Sequence, residues 1–180
     1  MDLAHVVTER LDLRAASLDD LREVHAVNAD PRLWTHWAEG VSTDEQRTVD
    51  DLTQYVQEWT RDGLGYWAAR RRTDSAFVGI GGVRLRPGGL WNLYYRVAAE
   101  HHGHGYATEI GRASIAAAAE VRPEAPVVAY LLDHNSASRR TAERCGLSEV
   151  WRGPDRLVPG GTRVVMADRP LAAEQLLAAT

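Results

Sequence analysis

The sequence predicts a single domain of the α+β (or α/β) class over residues 1–180, with a mixed, mostly antiparallel sheet and helices on both of its faces. Three strand-like runs separated by short turn sequences predict an antiparallel meander between residues 66 and 97. Residues 90–132 then show a strand, a glycine turn, a helix and a second strand. This order is a crossover connection, so these two strands are expected to form a central parallel pair.

The first third of the chain is expected to contain one strand and two helices. Residues 11–17 alternate apolar and polar side chains, as a strand with one buried face does. Ser17 is a typical N-cap for the helix that follows. The sequence "NADPRLWTHWAEG" is predicted to be a loop, because Pro31 disfavours a helical conformation of the residue before it. A second helix is predicted from near Ser42 to Gly63.

The rest of the chain alternates between apolar runs and capped helical segments. Helices are predicted from Gly105 to Pro123 and over residues 135–146. The C-terminal "LAAEQLLAAT" is read either as a frayed tail or as a small contact helix. The predicted strands after residue 65 are 66–71, 76–86, 90–97, 126–132, 147–152 and 162–168.

Composition and charge exclude several classes of function. The chain is 44% hydrophobic and 26% charged, which is ordinary for a globular protein. It shows no membrane-length apolar run and no signal peptide, so no membrane partner is expected. The single cysteine, Cys145, fits a reducing, cytoplasmic location. A net charge of −4 argues against a nucleic-acid partner and favours a cationic amine as ligand.

Residues 101–109, "HHGHGYATE", join the first parallel strand to the following helix. The start of a helix has unpaired N–H groups and the positive end of the dipole, and it therefore binds anions such as phosphate. Gly103 and Gly105 lack the Cβ atoms that would keep phosphate oxygens away from this backbone. The third glycine of a dinucleotide fingerprint is absent, and so is the lysine of a P-loop.

The three histidines of this turn, His101, His102 and His104, raise a metal site as the alternative. Adjacent side chains of a turning segment point in different directions, and no cysteine or suitably spaced carboxylate completes a known ligand pattern. We therefore expect no metal. The histidines are expected to lie at the rim of the site, where their backbone N–H groups matter more than their rings.

A second group of polar residues, in "DHNSASRRTAERCGL", follows the second parallel strand directly. Asn135 is placed to cap the next helix, and Ser138 lies one turn further on. Taken alone, both residues are explained as capping residues. Together with the glycine turn they place polar groups at the carboxyl end of the same two strands, where ligands bind in open α/β units.

These motifs, in this order and spacing, resemble the GNAT superfamily of acyl-CoA-dependent N-acetyltransferases, and within it the ribosomal-protein N-terminal acetyltransferases. The resemblance spans nearly the full chain, from "RLDLRAASLDDL" to "NSASRRTAERCGL". It implies a GNAT-like fold in which the parallel strands splay apart. It also implies acetyl-CoA as cosubstrate and direct transfer of its acetyl group to a primary amine, either a peptide N-terminus or a small molecule.

The resemblance also implies roles for individual residues. The edge of the strand around Tyr95 and Val97 would pair with the pantetheine arm, and Asn135 would contact it. Ser138 would protonate the departing thiolate, and a backbone N–H near Val97 would meet the oxyanion. The pyrophosphate would be bound by the backbone of His102, Gly103, His104, Gly105, Tyr106 and Ala107.

The general base and the acceptor contacts are predicted from position alone. His134 lies near the end of the second parallel strand, and histidine titrates in the useful pH range. Tyr94, Tyr95, Glu39 and Glu45 stay open as bases that act through water. The loop residues Trp34 and Trp37 are expected to contact the acceptor.

Two residues depart from the family pattern. Glu100 stands where relatives have arginine or glutamine, and Ala142 replaces a tyrosine that many relatives use as general acid. These departures leave open a second interpretation, a catalytically silent CoA-binding or regulatory module. A nucleotide-binding protein of another class is the third. The oligomeric state is also open, with a homodimer among the states considered.

Overall fold

The computed structural model describes residues 2–180 and contains one eight-stranded sheet, with strand order β1-β2-β3-β4-β5-β6-β8-β7. β5 and β6 are parallel, and all other neighbouring strands are antiparallel. The predicted mixed sheet with one parallel pair is therefore confirmed. The strands are β1 His5–Val7, β2 Leu11–Ala15, β3 Tyr66–Arg71, β4 Phe77–Arg86, β5 Leu90–Val97, β6 Val127–Leu132, β7 Ser148–Pro154 and β8 Thr162–Ala167.

Five α-helices cover the two faces of the sheet, and none in the described chain is long and apolar enough to cross a membrane. They are α1 Leu21–Ala29, α2 Glu45–Asp62, α3 Tyr106–Val121, α4 Ser136–Arg144 and α5 Ala173–Ala179. Short 3-10 turns occur at Leu18–Asp20, Pro31–Leu33, Ala38–Gly40 and Ala99–His101.

The placement of the helices follows from the alternation of side chains along the strands. Leu52 of α2 packs with Tyr66 and Ile80, whereas Ile110 of α3 packs with Trp67 on the other face. Because successive side chains of a strand point to opposite faces, α2 and α3 lie on opposite sides of the sheet. The prediction of helices on both faces is confirmed.

One strand and one helix start differ from those expected, and one open alternative is resolved. The strand His5–Val7 was missed, because three residues are too few to show an alternating pattern. The second helix begins at Glu45 and not near Ser42, since the Asp44 side chain accepts the backbone N–H of Gln46 at 3.0 Å. At the C-terminus, the two alternatives resolve in favour of a helix, α5, in which Ala179 is buried.

The parallel pair is short, and this creates the site. β5 and β6 are in register only at Trp91↔Val127 and Asn92↔Val128. Beyond these residues β5 stays paired with β4, and β6 stays paired with β8. The two strands therefore diverge while each keeps its outer neighbour, and a gap opens between them at their carboxyl ends. The predicted splay of the parallel pair is confirmed.

Candidate active site

The β5 side of the gap presents main-chain hydrogen-bonding groups. Ala98 donates its N–H to the carbonyl of Val78 in β4 at 2.9 Å, and Trp91 donates to Pro126 on the β6 side at 2.9 Å. Main-chain groups of a strand alternate between its two neighbours. Tyr95 and Val97 therefore direct their N–H groups toward β6, where no strand is paired with them any longer.

The glycine turn lies at the mouth of this gap. Gly103 and Gly105 both have φ of +79°, in the left-handed region that favours glycine. At Gly103 no described heavy atom, apart from those of the glycine and its two chain neighbours, lies within 4 Å of the position that a Cβ would take, so the turn is open there. Gly105 is the N-cap of α3 and makes no side-chain cap hydrogen bond. The first N–H groups of α3 thus lack the usual side-chain acceptor and are available to an anion.

Glu109, one turn into α3, fixes the glycine turn to the β1–β2 hairpin. Its Oε1 accepts the backbone N–H of Arg10 at 2.8 Å and the hydroxyl of Thr8, and its Oε2 accepts Nε of Arg10 at 2.8 Å. Arg10 also donates Nη1 to the carbonyl of His104 at 2.7 Å. Burial raises the pKa of Glu109, but the hydrogen bonds from Thr8 and Arg10 outweigh it and lower the pKa overall.

We expect Glu109→Ala to destabilise the protein and to loosen the turn. The loss of these partly buried hydrogen bonds costs about 1–2 kcal/mol, which is a fall in Tm of roughly 2–8 °C for a chain of this length. Because the folded-state pKa lies below 4.5, the contribution of Glu109 is present above that pH and is lost as the pH falls through the folded-state value. Thermal unfolding at pH 7 and pH 4 measures both effects.

Glu120→Ala is the matched control, since Glu120 is exposed on the same helix. It should leave the Tm unchanged. An equal fall in Tm for both variants would contradict the role of Glu109.

The histidine rings of the turn bind backbone carbonyls. Nε2 of His102 lies 2.9 Å from the carbonyl oxygen of Val97, and Nδ1 of His104 lies 2.9 Å from that of His102. Across residues 2–180, no three His, Cys, Asp or Glu side chains come together in a way that could hold a metal ion. The rings therefore stabilise the connection between β5 and α3.

α4 supplies the polar groups on the β6 side of the gap. Oδ1 of Asn135 accepts the backbone N–H of Ser138 at 3.0 Å, so Asn135 caps α4 as predicted. The Tyr95 hydroxyl lies 3.0 Å from the Ser138 carbonyl oxygen and 3.2 Å from its Oγ. Burial raises the pKa of Tyr95 to about 12. The phenol stays protonated at neutral pH and links β5 to α4 beside the Ser138 hydroxyl.

These elements enclose a cavity of about 490 Å³, which we call the gap cavity. Of the ten residues predicted to bind the cofactor, His104 is the exception that does not line it; its ring stacks on Tyr106 instead. Residues from the glycine turn, from β5 and from α4 are thus brought to one space. The predicted residues in the lining are Tyr95, Val97, His102, Gly103, Gly105, Tyr106, Ala107, Asn135 and Ser138.

His36 is a residue of the gap cavity that the sequence analysis missed. It lies between Trp34 and Trp37 in the loop after α1, and its half-buried ring lines the cavity. Burial, together with the positive charges of Arg96 and His134, lowers the pKa of His36 below 6.5. A histidine inside an aromatic loop segment was the available signal.

The predicted base, His134, lies outside the gap cavity and is exposed. Its Nε2 is 2.9 Å from the backbone carbonyl oxygen of His36. His134 therefore contacts the loop that carries His36.

The two predicted acceptor contacts occupy different positions. Trp34 is buried, donates Nε1 to the Asn28 carbonyl at 2.8 Å, and stacks under the guanidinium of Arg96 at 3.6 Å. It lines a second cavity of about 210 Å³, on the α1–α2 face of β5. Trp37 packs edge-on against Trp34, with ring centroids 6.0 Å apart, and lines neither cavity.

A family model described as "Acetyltransferase (GNAT) domain" matches residues 10–148, which is more than half of the chain. The chain belongs to the GNAT acetyltransferase family. The matched stretch includes both sides of the gap, from the β2 strand through the glycine turn to the end of α4.

Solved structures of GNAT proteins share the fold. A GNAT-family acetyltransferase from Bordetella pertussis superposes with a TM-score of 0.78 at 21% identity, over 92% of this chain and 99% of that chain. The ribosomal L7/L12 alpha-N-protein acetyltransferase RimL, in complex with coenzyme A, superposes with a TM-score of 0.76 at 16% identity. The match covers 90% of this chain and 95% of that chain. The microcin C7 self-immunity acetyltransferase MccE, in complex with acetyl-CoA and AMP, superposes with a TM-score of 0.72 at 14% identity. The match covers 89% of this chain and 92% of that chain. The predicted GNAT fold is confirmed.

The structure shows what surrounds the two residues at which this GNAT protein departs from the family pattern. Glu100 is exposed and lies 3.8 Å from Nη2 of Arg32, which offsets part of its charge. Ala142, on α4, is fully buried in the core. Among the residues with hydroxyl groups in the lining of the gap cavity, α4 contributes Ser138 and Thr141 and β5 contributes Tyr94 and Tyr95.

Proposed function

We propose that this GNAT protein is an acetyl-CoA-dependent N-acetyltransferase that modifies a primary amine by direct attack on the thioester. The acceptor is a peptide N-terminus or a small-molecule amine. One observation supports this proposal above the others. The uncapped start of α3 and the unpaired edge of β5 open into the same cavity. A diphosphate and an extended amide-containing arm, as found together in coenzyme A, fit these two surfaces.

The chain's own groups account for cosubstrate binding. Main-chain N–H groups of residues 102–107 receive the pyrophosphate, at the positive end of the α3 dipole. The free edge of β5 at Tyr95 pairs with the pantetheine amides as an added strand would. Asn135 uses Oδ1 to cap α4, so its side-chain amide nitrogen can donate to the same pantetheine arm.

The transfer step forms a bond between the acceptor nitrogen and the acetyl carbon and breaks the carbon–sulfur bond. The Val97 N–H is placed to stabilise the oxyanion of the tetrahedral intermediate. Ser138, which the Tyr95 hydroxyl contacts, gives a proton to the departing thiolate. The amine proton goes to a base, because an ammonium group has no lone pair with which to attack.

We assign the base role to His36, because its ring lines the gap cavity and its lowered pKa keeps it neutral at pH 7. Protonation of the acceptor amine already lowers the rate as the pH falls. Below pH 6.5, where His36 becomes protonated, the rate is expected to fall further. In His36→Gln this acid limb should disappear and the rate at pH 7 should drop by roughly 100-fold. Initial rates between pH 5 and pH 8 measure both effects.

His134→Gln is the comparison for this variant. It should lower the rate less and should keep the acid limb. An acid limb that persists in His36→Gln and vanishes in His134→Gln would return the base role to His134.

Two measurements test the proposed function itself. Calorimetric titration should show binding of acetyl-CoA and CoA and weak binding of ATP, whereas tight ATP binding would favour a nucleotide-binding protein. Release of free thiol from acetyl-CoA, followed with a panel of amines, should show turnover. A mass shift of about 42 Da, the net gain when an acetyl group replaces a hydrogen, should identify the acetylated amine. Binding of CoA without transfer to any amine would favour a silent module.

A further inference from the structure

The second cavity, on the α1–α2 face of β5, is lined by positively charged side chains that have no role in the proposed acetyl transfer. Arg47, Arg84, Arg86 and Arg96 all line it, and we call it the arginine cavity. Strand register explains the grouping: Arg84 lies opposite Asn92 and Ile80 opposite Arg96 on neighbouring strands, so both arginines point to the same face. The arginine cavity and the gap cavity share Tyr94 and Arg96.

The arginine cavity is positively charged although the whole chain is negative. Asp51 is the one carboxylate among its lining residues, and Glu58, behind the lining, pairs with Arg84. Four arginines against these two carboxylates leave an excess of two positive charges. Burial raises the pKa of Asp51, which makes its negative charge easier to lose. The net charge of −4, from which a cationic ligand was expected, is therefore a poor guide to this cavity.

Its positive groups are available to a ligand. Arg47 and Arg86 are exposed, and within residues 2–180 neither lies in an ion pair. Arg84 is 8% exposed, and its buried Nε has no hydrogen-bond partner among the described residues. A guanidinium group with free N–H donors matches the geometry of a carboxylate.

Part of the wall of the arginine cavity, around Arg96, is held in place by neighbouring side chains. Arg96 is fixed between the Trp34 ring and Oδ1 of Asn28, which accepts its Nη1 at 3.0 Å. The Tyr66 and Tyr94 rings stack with centroids 5.0 Å apart. Side chains that are already ordered lose little entropy on binding, and a fixed cationic wall therefore favours recognition of a specific anion.

Building on the proposed function, we propose that the acceptor is an amine that also carries a side-chain carboxylate, and that the arginine cavity binds this carboxylate. The amine then reaches the thioester past Tyr94 and Arg96, the residues common to both cavities. A volume of about 210 Å³ has room for the side chain of an acidic residue. The acceptor class is thus an acidic amino acid or a peptide with an acidic residue next to its N-terminus.

Binding is tested first, without any need for turnover. Glutarate and glutaramide have the same carbon skeleton and lack an amine, and they differ in charge. In calorimetric titrations of the CoA-loaded protein, glutarate should bind at least ten times more tightly than glutaramide. The double variant Arg47→Gln/Arg86→Gln should lose this difference while its affinity for CoA stays the same. The control Arg122→Gln/Arg156→Gln removes two exposed arginines elsewhere and should keep the difference.

Turnover is tested second, with the C-terminally amidated peptides Ser-Glu-Ala and Ser-Gln-Ala and with free glutamate and glutamine. In one of these two pairs, peptides or free amino acids, the acidic member should have a kcat/KM at least tenfold higher than that of the neutral member. This preference should vanish in Arg47→Gln/Arg86→Gln. The pair with the larger preference identifies a peptide or a free amino acid as the source of the carboxylate.

The outcomes separate the two proposals. Equal transfer to the acidic and neutral members would overturn the carboxylate inference and leave the acetyltransferase proposal intact. Glutarate that binds no better than glutaramide, or worse than inorganic phosphate, would also overturn it. Tight glutarate binding without acetylation of any amine would establish the carboxylate site and remove the proposed transfer.

Discussion

Replacing Ser138 with alanine is expected to lower kcat by roughly 100-fold or more while leaving the affinity for CoA nearly unchanged. The hydroxyl contributes when negative charge develops on the sulfur, so its loss affects the transition state more than the bound ground state. The backbone N–H of Ser138 that Asn135 caps is retained in the variant, and α4 should keep its start. Thiol-release kinetics and CoA calorimetry on the same preparation measure the two quantities.

The matched control is Ser136→Ala, an exposed serine in the first turn of the same helix, and it should behave like the unaltered protein. Tyr95→Phe removes the hydroxyl that contacts Ser138 and should give an intermediate fall in kcat. Unchanged turnover in Ser138→Ala would remove Ser138 from the mechanism.

The features predicted correctly are those that residues close together in the sequence determine. Strand-like runs and the short turn sequences between them define β3, β4 and β5, and the crossover to β6 follows from one helix between two apolar strands. Ser17 and Asn135 cap the segments that follow them, because a capping hydrogen bond spans only two or three residues. The left-handed glycines at 103 and 105 have the same local origin.

The features that were missed depend on contacts between distant parts of the chain. Glu109 is separated from Arg10 by 99 residues, and nothing near "YATE" indicates that it fixes the turn to the first hairpin. His134 and His36 are 98 residues apart, and sequence reasoning did not show that His36 lines the gap cavity. Position along a strand is a local property, whereas the lining of a cavity is not.

The arginine cavity shows the same limitation for charge. Its arginines come from α2, β4 and β5, and only the sheet register brings them together. The net charge averages over the whole surface and predicts the opposite sign. Trp37 is a related case, because the loop after Pro31 folds back onto the core around the Arg96–Trp34 stack and takes Trp37 away from both cavities.

Replacing Gly103 with valine is expected to weaken CoA binding by at least tenfold. A β-branched residue at φ of +79° costs about 1–2 kcal/mol, and the new side chain would also occupy the open space that phosphate oxygens must approach. A loss of 1.4 kcal/mol in binding corresponds to a tenfold change in Kd. Calorimetric titration with CoA gives the Kd, and thermal unfolding gives the stability of the same variant.

Gly160→Val separates the loss of binding from backbone strain. Gly160, in the loop between β7 and β8, has φ of +72°, and apart from its own atoms and its chain neighbours no described heavy atom lies within 4 Å of its Cβ position. The two substitutions should therefore lower the Tm by similar amounts, and only Gly103→Val should raise the Kd for CoA. If Gly160→Val weakened CoA binding equally, the effect would come from general destabilisation and not from access of the diphosphate to the α3 N-terminus. If neither variant altered the Kd, the main-chain amides of the turn would not be what binds the diphosphate.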